Sequence, residues 1–217
     1  MKSVLIRIQP KWCARIAKGE KTTEVRKTAP KLETPFKVYI YMTKGFASYP
    51  VTIGGNPYTC HNNGGMDVIG EFVCDDIKTY YADDFVGAED SDGTIITEPK
   101  DGVFAYWIPE EKETCLPYGE ILAYGNGKTL YGWHISDLKI YDKPRELSEF
   151  FTADKEAIRQ CKNREQSYYA FTDTGYIKNG FYCREKDDWC FGGCKRKALT
   201  RPPQSWCYVE ELNETYI

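Results

Sequence analysis

Alternation of apolar and polar positions dominates this chain, and it predicts strands more often than helices. Val4 to Ile8 reads as an apolar strand. Phe36 to Thr43 alternates cleanly, so Val38, Ile40 and Met42 are expected to face a core, with Tyr39, Tyr41 and Thr43 on the other side. Asp67 to Cys74 and Trp206 to Val209 read as further strands. Leu130 to Tyr141 does too, with Trp133, Ile135 and Asp137 on one side and His134, Ser136, Leu138 and Ile140 on the other. A hairpin is expected through Ile95-Ile96 and Val103-Phe104.

Helical signals are short. Gln9 to Lys18 reads as a helix with Pro10 in its first turn, where no amide hydrogen is needed, and Gly19 at the left-handed position past its end. Pro117 to Tyr124 reads as a second helix, stopped by Gly125-Asn126-Gly127, and Lys143 to Phe150 as one helical turn introduced by Pro144. Residues 45–65, rich in Gly, Asn and Pro, read as a long loop, in which His61 is assigned no role. After Gly19 a strand is expected in which Lys21, Thr23 and Val25 alternate with Thr22, Glu24 and Arg26, so that Glu24 and Arg26 share a face.

Charge changes this picture, because it is segregated along the chain. The net charge is −3, but residues 1–50 hold 11 Lys or Arg against 3 Asp or Glu, and residues 67–113 hold 3 against 14. The first stretch is therefore +8 and the second −11, which suits either mutual neutralisation or a basic mouth walled by an acidic flap. Such a mouth takes a short nucleic-acid segment or a nucleotide in preference to long duplex. No apolar run approaches the length of a membrane span, and the expected setting is cytoplasmic. At 217 residues, one domain carrying insertions is the economical reading. The 17 tyrosines suggest aromatic rings on ligand-facing surfaces as well as inside.

Gly19, Lys21, Glu24 and Arg26 form a Gly-x-Lys-x-x-Glu-x-Arg sequence behind a strand and a capped helix. This arrangement resembles the ASCH domain, a branch of the PUA-like superfamily. Tyr131 to Leu138 and Arg201 to Glu211 are similar to ASCH proteins of phages and prophages. The resemblance implies an α+β, mainly β fold: a mixed PUA-like β-barrel with short helices, spanning residues 1–217. It carries an acidic insertion near residues 80–115 and a cysteine-containing one near 151–200.

From spacing alone, Lys21, Glu24 and Arg26 read as a salt-bridged ladder on an exposed strand. The resemblance implies instead that their strand lines a cleft for RNA or a modified nucleoside. There Arg26 makes paired hydrogen bonds to a phosphate or base edge, Lys21 supplies a mobile charge and Glu24 accepts from an exocyclic amine. Among Trp12, Tyr39, Tyr41, Trp133 and Trp206, mostly expected in the core, Trp206 is the one assigned to the ligand, because Pro202-Pro203 stiffens its approach. The alternative is a hydrolase. Certain ASCH relatives deacetylate N4-acetylcytidine with a lysine, a threonine and a glutamate, and others are linked to ribonuclease activity. Here Lys21 matches the lysine, but Glu24 stands where those enzymes carry the threonine.

Of nine cysteines, Cys161, Cys183, Cys190 and Cys194 cluster in a polar stretch. They lack paired C-x-x-C knuckles, so structural zinc and free thiols remain equal alternatives, with Cys207 able to replace one ligand. The acidic run lacks calcium-loop spacing and reads as a solvated surface.

Overall fold

The computed structural model of the protein describes residues 2–44, 51–53, 56–58, 67–80, 88–89, 95–96, 111–172, 175–185, 187–189 and 194–212. The chain opens with β1 (Lys2–Ile8), α1 (Pro10–Ala17), β2 (Thr23–Arg26) and β3 (Phe36–Met42). The short β4 (Val51–Ile53) and β5 (Asn56–Tyr58) follow, then β6 (Val68–Cys74), β7 (Ile77–Tyr80), β8 (Ala88–Glu89) and β9 (Ile95–Ile96). Next come α2 (Glu111–Thr114), α3 (Tyr118–Gly125), β10 (Leu130–His134), β11 (Ser136–Arg145) and β12 (Phe151–Ala153). The chain continues through α4 (Lys155–Arg159), β13 (Arg164–Thr172), β14 (Gly175–Cys183), β15 (Asp188–Trp189), β16 (Arg196–Ala198) and β17 (Trp206–Glu210).

The fold is mainly β with a few short helices. A five-stranded sheet runs in the order β11-β6-β3-β1-β17, and β1 and β3 are its parallel pair. A three-stranded antiparallel sheet, β2-β10-β7, packs beside it. The two sheets share one core, and among the described residues the expected barrel is not closed into a single hydrogen-bonded ring. Val4, Ile6 and Ile8 of β1, Val38, Ile40 and Met42 of β3, Cys13 and Ile16 of α1, and Trp133 of β10 all meet in that core.

The far face of β3 is covered as well. Tyr39 and Tyr41, on the side opposite Val38, Ile40 and Met42, are buried as the core expectation for these rings had it, packed with Leu5, Val68, Phe150 and Val209. The Tyr39 ring meets Phe150 edge-on at 5.0 Å, and its hydroxyl accepts from the Leu212 amide at 2.8 Å. A sheet covered on both faces carries apolar or aromatic residues at successive positions, so alternation understates its burial.

Three further expectations change. The loop reading of 45–65 contains the β4–β5 hairpin, consistent with the β-branched run Val51-Thr52-Ile53. The single strand from Leu130 to Tyr141 is two strands parted at Ile135, whose amide bonds the Thr22 carbonyl at 2.8 Å. Asp137, at φ 45°, sits within an irregularity of the β11–β6 pairing. Finally, β11 runs on through Pro144 to Arg145, so the helical turn shrinks to a 3-10 turn at Leu147–Glu149, capped reciprocally by Glu146 and Glu149. Ile95-Ile96 pairs with Ala88-Glu89. Val103-Phe104, the expected other half of its hairpin, lie outside the described residues, as do His61 and most of the acidic run.

Candidate functional site

Pro10 and Gly19 position the site. Pro10 opens α1, Gly19 leaves it at φ +73°, and the chain reverses into β2 along the edge of the small sheet. β2 begins at Thr23, so Lys21 precedes the strand instead of alternating within it. Its side chain folds back: Nζ lies 3.3 Å from Glu24 Oε2 and donates to the carbonyls of Thr23 and Thr114, each at 2.7 Å. Lys21 is 2% exposed, and three acceptors occupy its ammonium. The charge expected to be mobile is therefore fixed.

Arg26 approaches Glu24 from the other side, with Nη2 at 2.9 Å from Oε1. The same nitrogen donates to the Arg7 carbonyl at 2.6 Å, and Nε is buried without a hydrogen-bond partner. The three motif residues thus converge in a buried triad, with Glu24 at its centre and 6% exposed. The exposed ladder suggested by spacing alone is not what forms. A carboxylate taken from water needs such pairing on both oxygens to stay charged.

The triad lines a cleft of about 710 Å³. Its cations are Arg7, Lys11, Lys21, Arg26 and Lys44, against Glu24 and Glu120. Trp12 and Tyr124 add aromatic wall. Lys11 Nζ lies 4.2 Å from the Trp12 ring centroid and Lys21 Nζ 5.4 Å, and Lys27 Nζ is 4.9 Å from that of Tyr124. Burial raises the Tyr124 hydroxyl pKa, with Arg26 beside it opposing the shift. Cys13, wholly buried under the cleft, has its thiol pushed well above its usual range by burial and by the Glu24 carboxylate.

Trp206 lies elsewhere. It is half-buried, with its ring 5.8 Å from Trp133 and 5.4 Å from Tyr208, and its indole N–H donates to Thr28 Oγ1 at 3.0 Å. Gln204, not Trp206, is the residue of that segment among the cleft walls. The wall from Leu116, Glu120 and Tyr124 had no signal in the sequence, since α3 reaches β2 only through the fold.

Among the cysteines expected to bind metal, Cys183 is buried, Cys161 half-buried and Cys194 exposed. Cys190 lies outside the described residues. Among the described residues no three His, Cys, Asp or Glu side chains come together as a metal site, and no helix is long and apolar enough to cross a membrane.

No protein family profile matches the chain, and no curated protein does. Among solved structures it is similar to ASCH from Zymomonas mobilis, at TM-score 0.43 and 15% identity, over 74% of this chain and 78% of that one. Two point mutants of that protein superpose alike. One has TM-score 0.44 and 15% identity over 75% of this chain and 82% of the other, and the second 0.43 and 14% over 81% and 87%. Superpositions this loose assign no residue a role.

Proposed function

We propose that the protein binds RNA or a modified nucleoside in the cleft between Trp12 and Tyr124, acting in the cytoplasm as an ASCH-like protein of phage or prophage type. The carrying observation is the Glu24 carboxylate held between Lys21 and Arg26 at a cationic cleft. A carboxylate has about four lone-pair sites, so after these two ion pairs each oxygen retains one for an exocyclic amine. Lys21 then acts as a positioning residue, because its donors are already engaged. Arg26 and the rim cations serve phosphate or base edge, and the half-buried Trp12 offers a stacking surface.

Binding is favoured over a threonine-based hydrolysis. The Thr23 hydroxyl is buried without a partner, and its side chain lies against Gly132 on the face opposite Glu24. A hydroxyl becomes nucleophilic only with a base in hydrogen-bond reach.

Arg26→Ala is expected to weaken binding of short single-stranded RNA by roughly 1–3 kcal/mol. Glu24→Gln should lose discrimination among nucleosides while phosphate affinity survives. An enzyme using Glu24 as a base would instead keep binding and lose turnover by about a hundredfold. Unchanged RNA and nucleoside binding in both variants would make the triad purely structural.

A further inference from the structure

A second cleft, of about 720 Å³, adjoins the first and shares Lys11, Trp12, Leu116 and Glu120 with it. Trp12 therefore stands as a saddle between two depressions. The second depression adds the cations Arg15, Lys18 and Lys112, with Glu20 as its further carboxylate. Arg15 Cζ lies 5.8 Å from the Trp12 ring centroid, so the indole is flanked by a cation from each cleft. Lys11, Arg15 and Lys18 are exposed along α1 and its end, and Lys112 is exposed opposite them.

We propose that the second cleft is a phosphate subsite, so that the ligand is a single strand of two or more nucleotides passing over Trp12 and not a free nucleoside. This rests on the nucleoside-binding reading of the first cleft. A cationic groove interrupted by a half-exposed aromatic ring is the arrangement that holds single strands, because the groove follows the backbone while bases stack on the ring. The shared wall lets a base sit beside Glu24 while the neighbouring phosphate meets Lys18 and Lys112. A free nucleoside leaves those two lysines unused.

The test compares wild-type protein, Arg26→Ala and the double variant Lys18→Ala/Lys112→Ala. Each is titrated with a random-sequence RNA hexamer by anisotropy across a salt series, and with each of the four ribonucleosides by calorimetry. Circular dichroism checks that the variants are folded. The double variant is expected to bind the hexamer about tenfold more weakly, and the slope of log affinity on log salt should shrink by about 1.4, two phosphates' share for single-stranded nucleic acid. Nucleoside binding should match wild type. If the double variant keeps wild-type hexamer affinity and slope while Arg26→Ala weakens both ligands, the phosphate subsite is wrong and the first cleft stands. If Arg26→Ala also changes nothing, or no RNA or nucleoside binds, both readings fall. A polyglutamate peptide binding as tightly as the hexamer would overturn the nucleic-acid assignment.

Discussion

The Lys21 ammonium donates to the Thr114 carbonyl at 2.7 Å, joining residues 93 positions apart. The neighbouring Thr22 amide bonds the Glu113 carbonyl at 2.9 Å, so the end of α2 is stitched to the entry of β2. This seam holds the Leu116–Tyr124 wall over the triad, and it makes the lysine a part of the cleft's construction.

Lys21→Met should therefore be costly. It removes one of the two cations on the buried Glu24 carboxylate and takes one donor from each of the carbonyls of Thr23 and Thr114. A loss of about 3 kcal/mol is expected in chemical denaturation. A loss below about 1 kcal/mol would mean that the seam contributes little.

Gly70→Ala tests the approach of β6 to β11. A Cβ at Gly70 would lie 2.5 Å from the Lys139 carbonyl oxygen and 3.1 Å from Ile140 Cα, both backbone atoms. Destabilisation of about 1–3 kcal/mol or more is expected, because the sheet itself has to move. Gly132→Ala would bring a Cβ within 2.5 Å of the Tyr80 hydroxyl, 2.8 Å of Tyr80 Cε2 and 2.9 Å of Thr23 Cγ2, all on buried side chains, and should destabilise as well. Negligible shifts in melting temperature would contradict this packing.

Thiol reactivity should be strongly protected in the native state. Burial pushes Cys74 up to about 12 and Cys207 up to about 11, and raises Cys13 well above its usual value. A pKa raised to about 12 leaves roughly one thiolate in ten thousand at pH 8, and only the thiolate reacts. Maleimide labelling at pH 8, read by mass spectrometry, should spare these three until the protein unfolds, with Cys74 accelerating as pH rises toward 12. Labelling of Cys74 at an unfolded peptide's rate would refute this.

Zinc on Cys161, Cys183, Cys190 and Cys194 is a proposal with a direct measurement. Protein purified without chelator should carry one equivalent, and Cys183→Ser should lose it with a fall in thermal stability. Well under one equivalent in the wild type would eliminate the site.

Local features were legible because they depend on backbone geometry near each residue. Pro10 and Gly19 bound α1, alternation located β3 and β6, and Gly125-Asn126-Gly127 ended α3, with Asn126 at φ 50° and Gly127 at φ +68°. The sequence by itself also put Glu24 and Arg26 on one face. It could not bring Lys21 to them, because alternation assigns Lys21 to the opposite face. Only the late start of β2 and the reach of a four-carbon side chain make the three converge. Likewise alternation put Tyr39 and Tyr41 on the face opposite Val38 and Ile40, but could not show that Phe150 and Val209 are what covers them. The indole of Trp206 was claimed by Trp133, Tyr208 and Thr28. Periodicity is set by neighbours a few residues away. Which surfaces are covered, and which buried charges meet, is set by segments that only tertiary packing brings together.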